Sequence, residues 1–261
     1  MSDASSETAA SKTAPVCVIT GGSSGIGLAT ARLMRQTGYR IAICGRNAEK
    51  LTAAHEELVA LKPDCISEWS DTAEQDVLAV QADLGDADQA TDFFERAIKE
   101  FSNVDVLVNN AAMAPLERFE DISTDTFESV VNVNVRAGFY LTQKAWQHMI
   151  KSGGGTIVNI SSMSAVDPFP GFSLYGASKA WMDLLTQSLA AEGESYGIRI
   201  CSIRPGAVET PLLRGLFPDF PADQCVPPET IAQTVLGCVQ DPLKYPSGKF
   251  FPVTNQPETT V

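Results

Sequence analysis

Along almost the whole chain, short continuous apolar runs alternate with longer stretches of helical spacing, and no other feature of the sequence narrows the possible folds as much. The runs lie near Val16–Ile19, Ile41–Cys44, Val77–Gln81, Val104–Val108, Thr156–Ile160, Ile198–Ile203 and Lys249–Val253. Helical patterns fall between them, near Ile26–Thr37, Ala48–Leu61, Ala87–Phe101, Thr124–Lys151, Tyr175–Glu192 and Pro228–Gln240. A strand that is apolar at successive positions has no face to give to water, so both faces must be covered, and strands separated by helices run parallel. The expected fold class is α/β, a doubly wound parallel sheet with helices on both faces and right-handed crossovers. On the third helix Phe93, Phe94, Ala97, Ile98 and Phe101 recur at three and four residues and form one buried stripe. Gly38 stops the first helix, and Gly153-Gly154-Gly155 stops the long fourth one.

No repeat and no linker divides the 261 residues, so one domain over residues 14–261 is expected, large enough to bury its own core. Residues 1–13, rich in Ser, Thr and Ala, read as a disordered tail, without the apolar stretch of a secretory signal or the Arg of a transit peptide. Residues 63–76 are acidic and aperiodic, and read as a solvated surface insertion. With 19 Lys and Arg against 32 Asp and Glu, the formal charge of −13 argues against nucleic acid and anionic membrane partners. No apolar run reaches the roughly 18 residues of a membrane span. The 6 cysteines include no Cys-x-x-Cys pair, and Cys17, Cys44 and Cys201 sit in apolar runs, which fits free core thiols in a reducing cytoplasm. The 2 histidines, His55 and His148, each lie on a helical pattern, so no metal site is expected.

After the first strand comes Thr20-Gly21-Gly22-Ser23-Ser24-Gly25-Ile26-Gly27, then a helix. Glycines allow a tight turn and a close backbone approach, while the helix start offers unpaired N–H groups and partial positive charge. Together they suit a pyrophosphate, with Gly21, Ser23, Ser24, Gly25, Ile26 and Gly27 as its cradle. The same residues also fit the Gly-x-Ser-x-Gly nucleophile elbow of α/β-hydrolases. That elbow needs an acid and then a histidine further along, and no histidine follows His148.

These motifs resemble the short-chain dehydrogenase/reductase family in its main single-domain branch, including its 3-oxoacyl-[acyl-carrier-protein] reductase members. The resemblance spans about Ala14 to Val253. It is carried, in order, by the Gly-rich turn, Asp83, Asn109-Asn110-Ala111-Ala112, Asn134, Ser162, Tyr175-Gly176-Ala177-Ser178-Lys179 and Pro205-Gly206. It implies a Rossmann-type sheet of about seven parallel strands that binds a nicotinamide dinucleotide. It also implies a catalytic group of Asn134, Ser162, Tyr175 and Lys179, with Asp83 and Asn110 at the cofactor. Lys179 would hold the nicotinamide ribose, Ser162 the substrate oxygen, and Asn134 a water linking Lys179 to solvent. Pro205, Gly206, Val208 and Thr210 would form the loop at the carboxamide, Val208 through its backbone and Thr210 through its hydroxyl. The residues themselves support this chemistry. Tyr175 and Lys179 are four apart on a helical pattern and share one face. A free phenol, with a pKa of about 10, is a poor base at neutral pH. A nearby ammonium and the positive ring of the oxidised cofactor would lower that value, letting Tyr175 pass a proton to or from a substrate oxygen.

The second strand ends Ile43-Cys44-Gly45-Arg46-Asn47. NAD sites usually place an acid there for the adenosine ribose, but no acid occurs before Glu49, and Arg46 can grip a 2′-phosphate with its planar fork. NADP is therefore expected over NAD. Many NADP members carry a second basic residue in the Gly-rich turn, where this chain has Ser24.

Two departures from the family pattern stand out. Ala112 replaces a common glycine, and the end of the chain reads Phe250-Phe251-Pro252-Val253 without the usual Asp-Gly-Gly ending. Pro252 removes a ladder donor from the last strand. That puts one tetramer contact in question, while a dimer through the Asn134 and Tyr175 helices stays open. The segment at about 211–227 is short and apolar, and reads as a substrate lid. The favoured function is an NADP-dependent oxidoreductase moving a hydride between nicotinamide and a small carbonyl or secondary alcohol. One alternative is reduction of 3-oxoacyl chains on acyl carrier protein or CoA, although an acidic carrier would be repelled by the net charge. Another is a catalytically silent sensor of NADP(H), to which the complete Asn-Ser-Tyr-Lys set would be of no use.

Overall fold

The strands follow from a period of two with apolar residues on both faces. Val16 and Val18 point into one core, and Cys17 and Ile19 into the other. A computed structural model describes residues 14–62 and 73–255. It contains a 7-stranded sheet, built from β1 (Val16–Ile19), β2 (Arg40–Gly45), β3 (Val77–Gln81), β4 (Val106–Asn109), β5 (Gly155–Ile160), β6 (Ile198–Pro205) and β7 (Phe250–Val253). The strand order is β3-β2-β1-β4-β5-β6-β7, and every neighbouring pair is parallel. The expected doubly wound α/β architecture is the observed one.

One face is covered by α1 (Gly25–Gln36), α2 (Ala48–Ala60) and α8 (Pro228–Gln240), through residues such as Met34, Leu58 and Val235. The other is covered chiefly by α3 (Ala87–Phe101), α5 (Gly138–Ser152) and α6 (Ser173–Gly193). The Phe93–Phe101 stripe lies in that second core, and burying Phe93 alone contributes roughly 2–3 kcal/mol. Local signals set the helix ends. Asn47 caps α2 by accepting from the Lys50 N–H at 2.8 Å, and the Asp86 carboxylate caps α3 by accepting from the N–H of Asp88 and Gln89.

Three features differ from the expectation. The long fourth helix is α4 (Thr124–Val130), a π-helical stretch over Val131–Ala137, then α5. A π segment takes one extra residue per turn, which the apolar spacing does not betray. The apolar segment after β6 holds a helix of its own, α7 (Pro211–Leu216). At the far edge, the carbonyls of Lys249 and Val253 accept from the N–H of Ser202 on β6 and of Gly206 just beyond it. Backbone groups alternate along a strand, so Pro252 sits at an outward register and β6 loses no rung to it. The tail at residues 1–13 lies outside the described residues, as does most of the 63–76 segment. Its end, Ala73–Asp76, is a 3-10 turn, and Asp76 meets the buried Arg35 at 3.2 Å.

Strand order reverses between β1 and β4. Parallel sheets bind ligands beyond the carboxyl ends of the strands at such a reversal. The C-terminal ends of β1, β2, β4, β5 and β6 all open there into one cavity of about 860 Å³.

Candidate active site

The turn from β1 to α1 forms the floor of the cavity. Gly21 (φ 65°) and Gly25 (φ 54°) adopt the left-handed conformation that side chains resist. Ser24 precedes the first turn of α1 and its hydroxyl makes no cap bond, so it is free to face a ligand beside that turn's unpaired N–H groups. Asn110, just beyond β4, holds the turn in place. Its Nδ2 donates to the carbonyls of Thr20 (2.8 Å) and Gly21 (3.2 Å), while the Thr20 hydroxyl accepts from the N–H of Asn110 and Ala111. Gly21, Ser23, Ser24, Gly25, Ile26 and Asn110 all line the cavity. Gly27 does not. A Cβ there would lie 2.3 Å from the Gly21 carbonyl oxygen and 2.5 Å from Asn110 Nδ2, so Gly27 packs the turn from behind.

At the far end lie Gly45, Arg46, Asn47 and Lys50. A Cβ on Gly45 would sit 2.7 Å from Ser23 Oγ, so the position that could carry a ribose-binding acid is closed to any side chain unless Ser23 moves. Arg46 and Lys50 are exposed, and among the described residues neither side chain has an ion-pair partner. Lys50 escapes sequence reasoning because it resembles any surface lysine in a first helical turn; only its four-residue offset from Arg46 hints at a pair. Asp83, after β3, is also in the wall; its Oδ1 accepts from the Gly85 N–H at 2.9 Å.

The catalytic candidates converge at the opposite end. Tyr175 and Lys179 share one face of α6, and Ser162 follows β5. All three line the cavity. Lys179 is buried, its Nζ donates to the Ile160 carbonyl at 2.7 Å, and it lies 5.7 Å from the centre of the Tyr175 ring. Burial brings its ammonium down to about 8, against the opposing pull of Asp183. Asp183 is itself buried, accepting from Ser202 Oγ (2.6 Å) and Arg204 Nε (2.7 Å). The sequence expectation for the Tyr175 phenol concerns the site with the oxidised cofactor bound; in the protein alone the shift runs upward. Burial raises it above its ordinary value, and the Ser162 hydroxyl bond offsets only part of that rise.

Asn134 lies on the π-helical stretch, buried behind the wall and not in it. Its Oδ1 accepts from the Met113 N–H at 2.8 Å, and its Nδ2 donates to the Met113 carbonyl (2.8 Å) and to Ser178 Oγ (2.9 Å). Its side chain therefore braces the strand-4 loop against α6, and a bound water would have to use its main chain. Pro205, Gly206, Val208 and Thr210 complete the wall beyond β6. The Thr210 hydroxyl caps α7, accepting from the Leu213 N–H at 3.3 Å and donating to the Val208 carbonyl at 3.2 Å. Ala112 takes a place in the wall as well.

A cofactor with a long anionic middle fits this shape. A cradle of free N–H groups sits halfway, two cations at one end, and a phenol–ammonium pair at the other. Comparison with known proteins agrees. An uncharacterised oxidoreductase of Staphylococcus epidermidis is 29% identical over 227 residues, covering 87% of this chain and 91% of that protein. A solved short chain dehydrogenase/reductase family protein superposes with a TM-score of 0.80 at 34% identity, covering 92% of this chain and 96% of the other. A 3-ketoacyl-(acyl-carrier-protein) reductase from Brucella melitensis, complexed with NADH, has a TM-score of 0.79 at 27% identity, over 92% of this chain and 97% of that one. A short chain dehydrogenase from Burkholderia cenocepacia, in complex with NADP, has the same TM-score of 0.79 at 28% identity, over 92% and 96%. The family model described as short chain dehydrogenase matches residues 15–220, and this chain belongs to that family of oxidoreductases.

Proposed function

We propose that this protein is an NADPH-dependent reductase of carbonyl compounds. The observation that carries the reading is the pairing of a buried Tyr175 with a bonded, buried Lys179 at the end of a cradle whose other end presents Arg46 and Lys50. The dinucleotide would lie with its 2′-phosphate at Arg46 and Lys50, its pyrophosphate over the α1 turn, and its nicotinamide beside Val208 and Tyr175. When bound, the reduced nicotinamide supplies a hydride to the carbonyl carbon.

The remaining chemistry belongs to side chains. Ser162 and Tyr175 hold the carbonyl oxygen between two hydroxyls. Tyr175 gives that oxygen its phenolic proton as negative charge develops there, and becomes a phenolate. The Lys179 ammonium stabilises the phenolate, and solvent returns the proton. A phenol raised by burial holds its proton at neutral pH and can give it to the developing alkoxide; the same group would take it back in alcohol oxidation. A silent sensor would gain nothing from this arrangement.

The likeness to the Brucella reductase supports a second reading, in which the carbonyl belongs to a 3-oxoacyl thioester. We further propose a homodimer through α5 and α6, where Phe139, Tyr140 and Leu184 are exposed, with Phe139 6.4 Å from Trp181. Four copies joined as two such dimers would make a homotetramer. The reducing cytoplasm is the proposed compartment, since Cys17, Cys44, Cys201, Cys225 and Cys238 are all free and buried. Among the described residues no helix is long and apolar enough to cross a membrane.

The deciding experiment titrates the protein with NADPH and NADH by fluorescence, then follows NADPH oxidation with simple ketones and aldehydes. Tighter NADPH binding with carbonyl-dependent oxidation is the expected result. Tighter NADH binding would overturn the cofactor assignment, and binding without any turnover would overturn the reaction.

A further inference from the structure

We propose that the substrate end of the cavity is built for an uncharged carbonyl compound with an aromatic ring next to its carbonyl group, held by Phe169, Phe172 and Phe217. This rests on the reductase reading above and names the substrate class for that site. All three rings line the cavity. They form one cluster that begins at the catalytic phenol. Phe172 stands edge-on to Tyr175, with ring centres 5.2 Å apart at 84°. Phe169 stacks on Phe172 at 4.4 Å and 27°, and Phe217 closes the group at 6.1 Å from Phe169 and 6.2 Å from Phe172. A carbonyl whose oxygen is held by Tyr175 and Ser162 must direct one substituent towards these rings. Phe172 is buried, but Phe169 keeps 44% of its surface exposed although it borders the cavity, so an open ring face awaits a partner. Leu212, Leu213 and Leu216 of α7 also line the cavity, and Leu216 packs with Phe217 against Phe172 and Tyr175, so the rings sit in apolar surroundings.

Charge decides the rest. Among the described residues that line the cavity, the cations are Arg46 and Lys50, at the adenosine end, and Lys179, already bonded to the Ile160 carbonyl. The lid carries Arg214, but its guanidinium is paired with the Glu209 carboxylate and does not line the cavity. The charged group beside the ring cluster is Asp167, two residues before Phe169. A carboxylate or phosphate on the substrate would find no partner there and would face that acid. This sets anionic 2-oxo acids, and acyl groups carried on a phosphorylated arm, below neutral ketones and aldehydes.

The test compares isosteric ligands in two readouts. By calorimetry, benzamide and cyclohexanecarboxamide, unreactive carbonyl compounds of like size, are titrated into the protein saturated with NADPH. By NADPH oxidation, acetophenone is compared with cyclohexyl methyl ketone and with the anionic phenylglyoxylate. Benzamide should bind roughly ten-fold more tightly than its saturated analogue, the scale of a favourable aromatic pair. The exposed-ring variant Phe169→Leu, with Phe217→Leu as a second, should bring that ratio towards one while NADPH still binds. Phenylglyoxylate should be the poorest of the three carbonyl substrates. Equal binding of the two amides by the wild-type protein, no binding of either, or phenylglyoxylate as the best substrate would each overturn the proposal. Turnover of ketones without aromatic preference would leave the reductase standing and remove this inference. Aromatic preference in calorimetry without any turnover would do the reverse.

Discussion

Around the Tyr175 end of the cavity, Asn134, Ser162 and Lys179 are bonded within the chain; at the other end, Arg46 and Lys50 stand exposed with no ion-pair partner among the described residues. The first end has its side-chain ordering built in during folding. The second orders two long, flexible cations only when an anion appears, and loses rotamer freedom at that moment. Chemistry needs fixed distances, whereas recognition of a phosphate tolerates approach from several directions. Substitutions at the two ends should therefore fail differently, all at once at the first and by degrees at the second.

The largest effect should come from Tyr175→Phe, which keeps the ring and removes the proton. Turnover should fall by roughly 10³-fold, within the range of general acid catalysis, while the NADPH titration stays near wild type. Loss of NADPH binding in that variant would break the contrast, because it would make the catalytic end part of cofactor recognition. Arg46→Asp should come next. It exchanges a charge-assisted grip for repulsion and should lower the ratio of NADPH to NADH affinity by about 10²-fold. Lys50→Ala should cost roughly five-fold in NADPH affinity, and less as salt is added, since exposed charges are screened. NADH binding should hardly respond, and an equal loss for both cofactors would show that Lys50 does not meet the 2′-phosphate.

The smallest effect sharpens the contrast from inside the catalytic end. Lys179 lies at about 8, held there by burial against Asp183, which pulls upward. If the ammonium is the active form, kcat/KM for reduction should decline as pH rises through that value. Asp183→Asn removes the upward pull, so the decline should begin at lower pH, with only a few-fold change in activity near neutrality. An unmoved pH limb would show that Lys179 is not the group titrating.

Much of this was legible in the chain. Val16–Ile19 and Val77–Gln81 read as strands because continuous apolar runs leave few other options. Tyr175 and Lys179 could be joined from their four-residue spacing, and Ser162 with them through the resemblance to the short-chain dehydrogenase/reductase family. What stayed hidden depends on atoms far away in sequence. Gly27 and Gly25 look alike in a Gly-rich turn, yet the first packs against the Gly21 carbonyl and Asn110 Nδ2 while the second faces the cavity. The absence of an acid at Gly45 was visible; its steric reason, Ser23 Oγ, was not. In the π-helical stretch at Val131–Ala137 apolar and polar residues simply alternate, which announces no wider turn, and α7, six residues beside several prolines, is too short to show a period. The rise of the Tyr175 phenol needed its burial, which no local pattern discloses.

Pro252 faces away from β6 at the last strand of the sheet. An incoming strand, whether from a neighbouring molecule in a crowded cell or from a growing aggregate, would look for an N–H at that rung and meet a pyrrolidine ring instead. The residue thus acts as a terminator. It costs the native ladder nothing and closes a parallel sheet that would otherwise end in a hydrogen-bonding template. Replacing it would leave the cavity untouched and make the protein sticky.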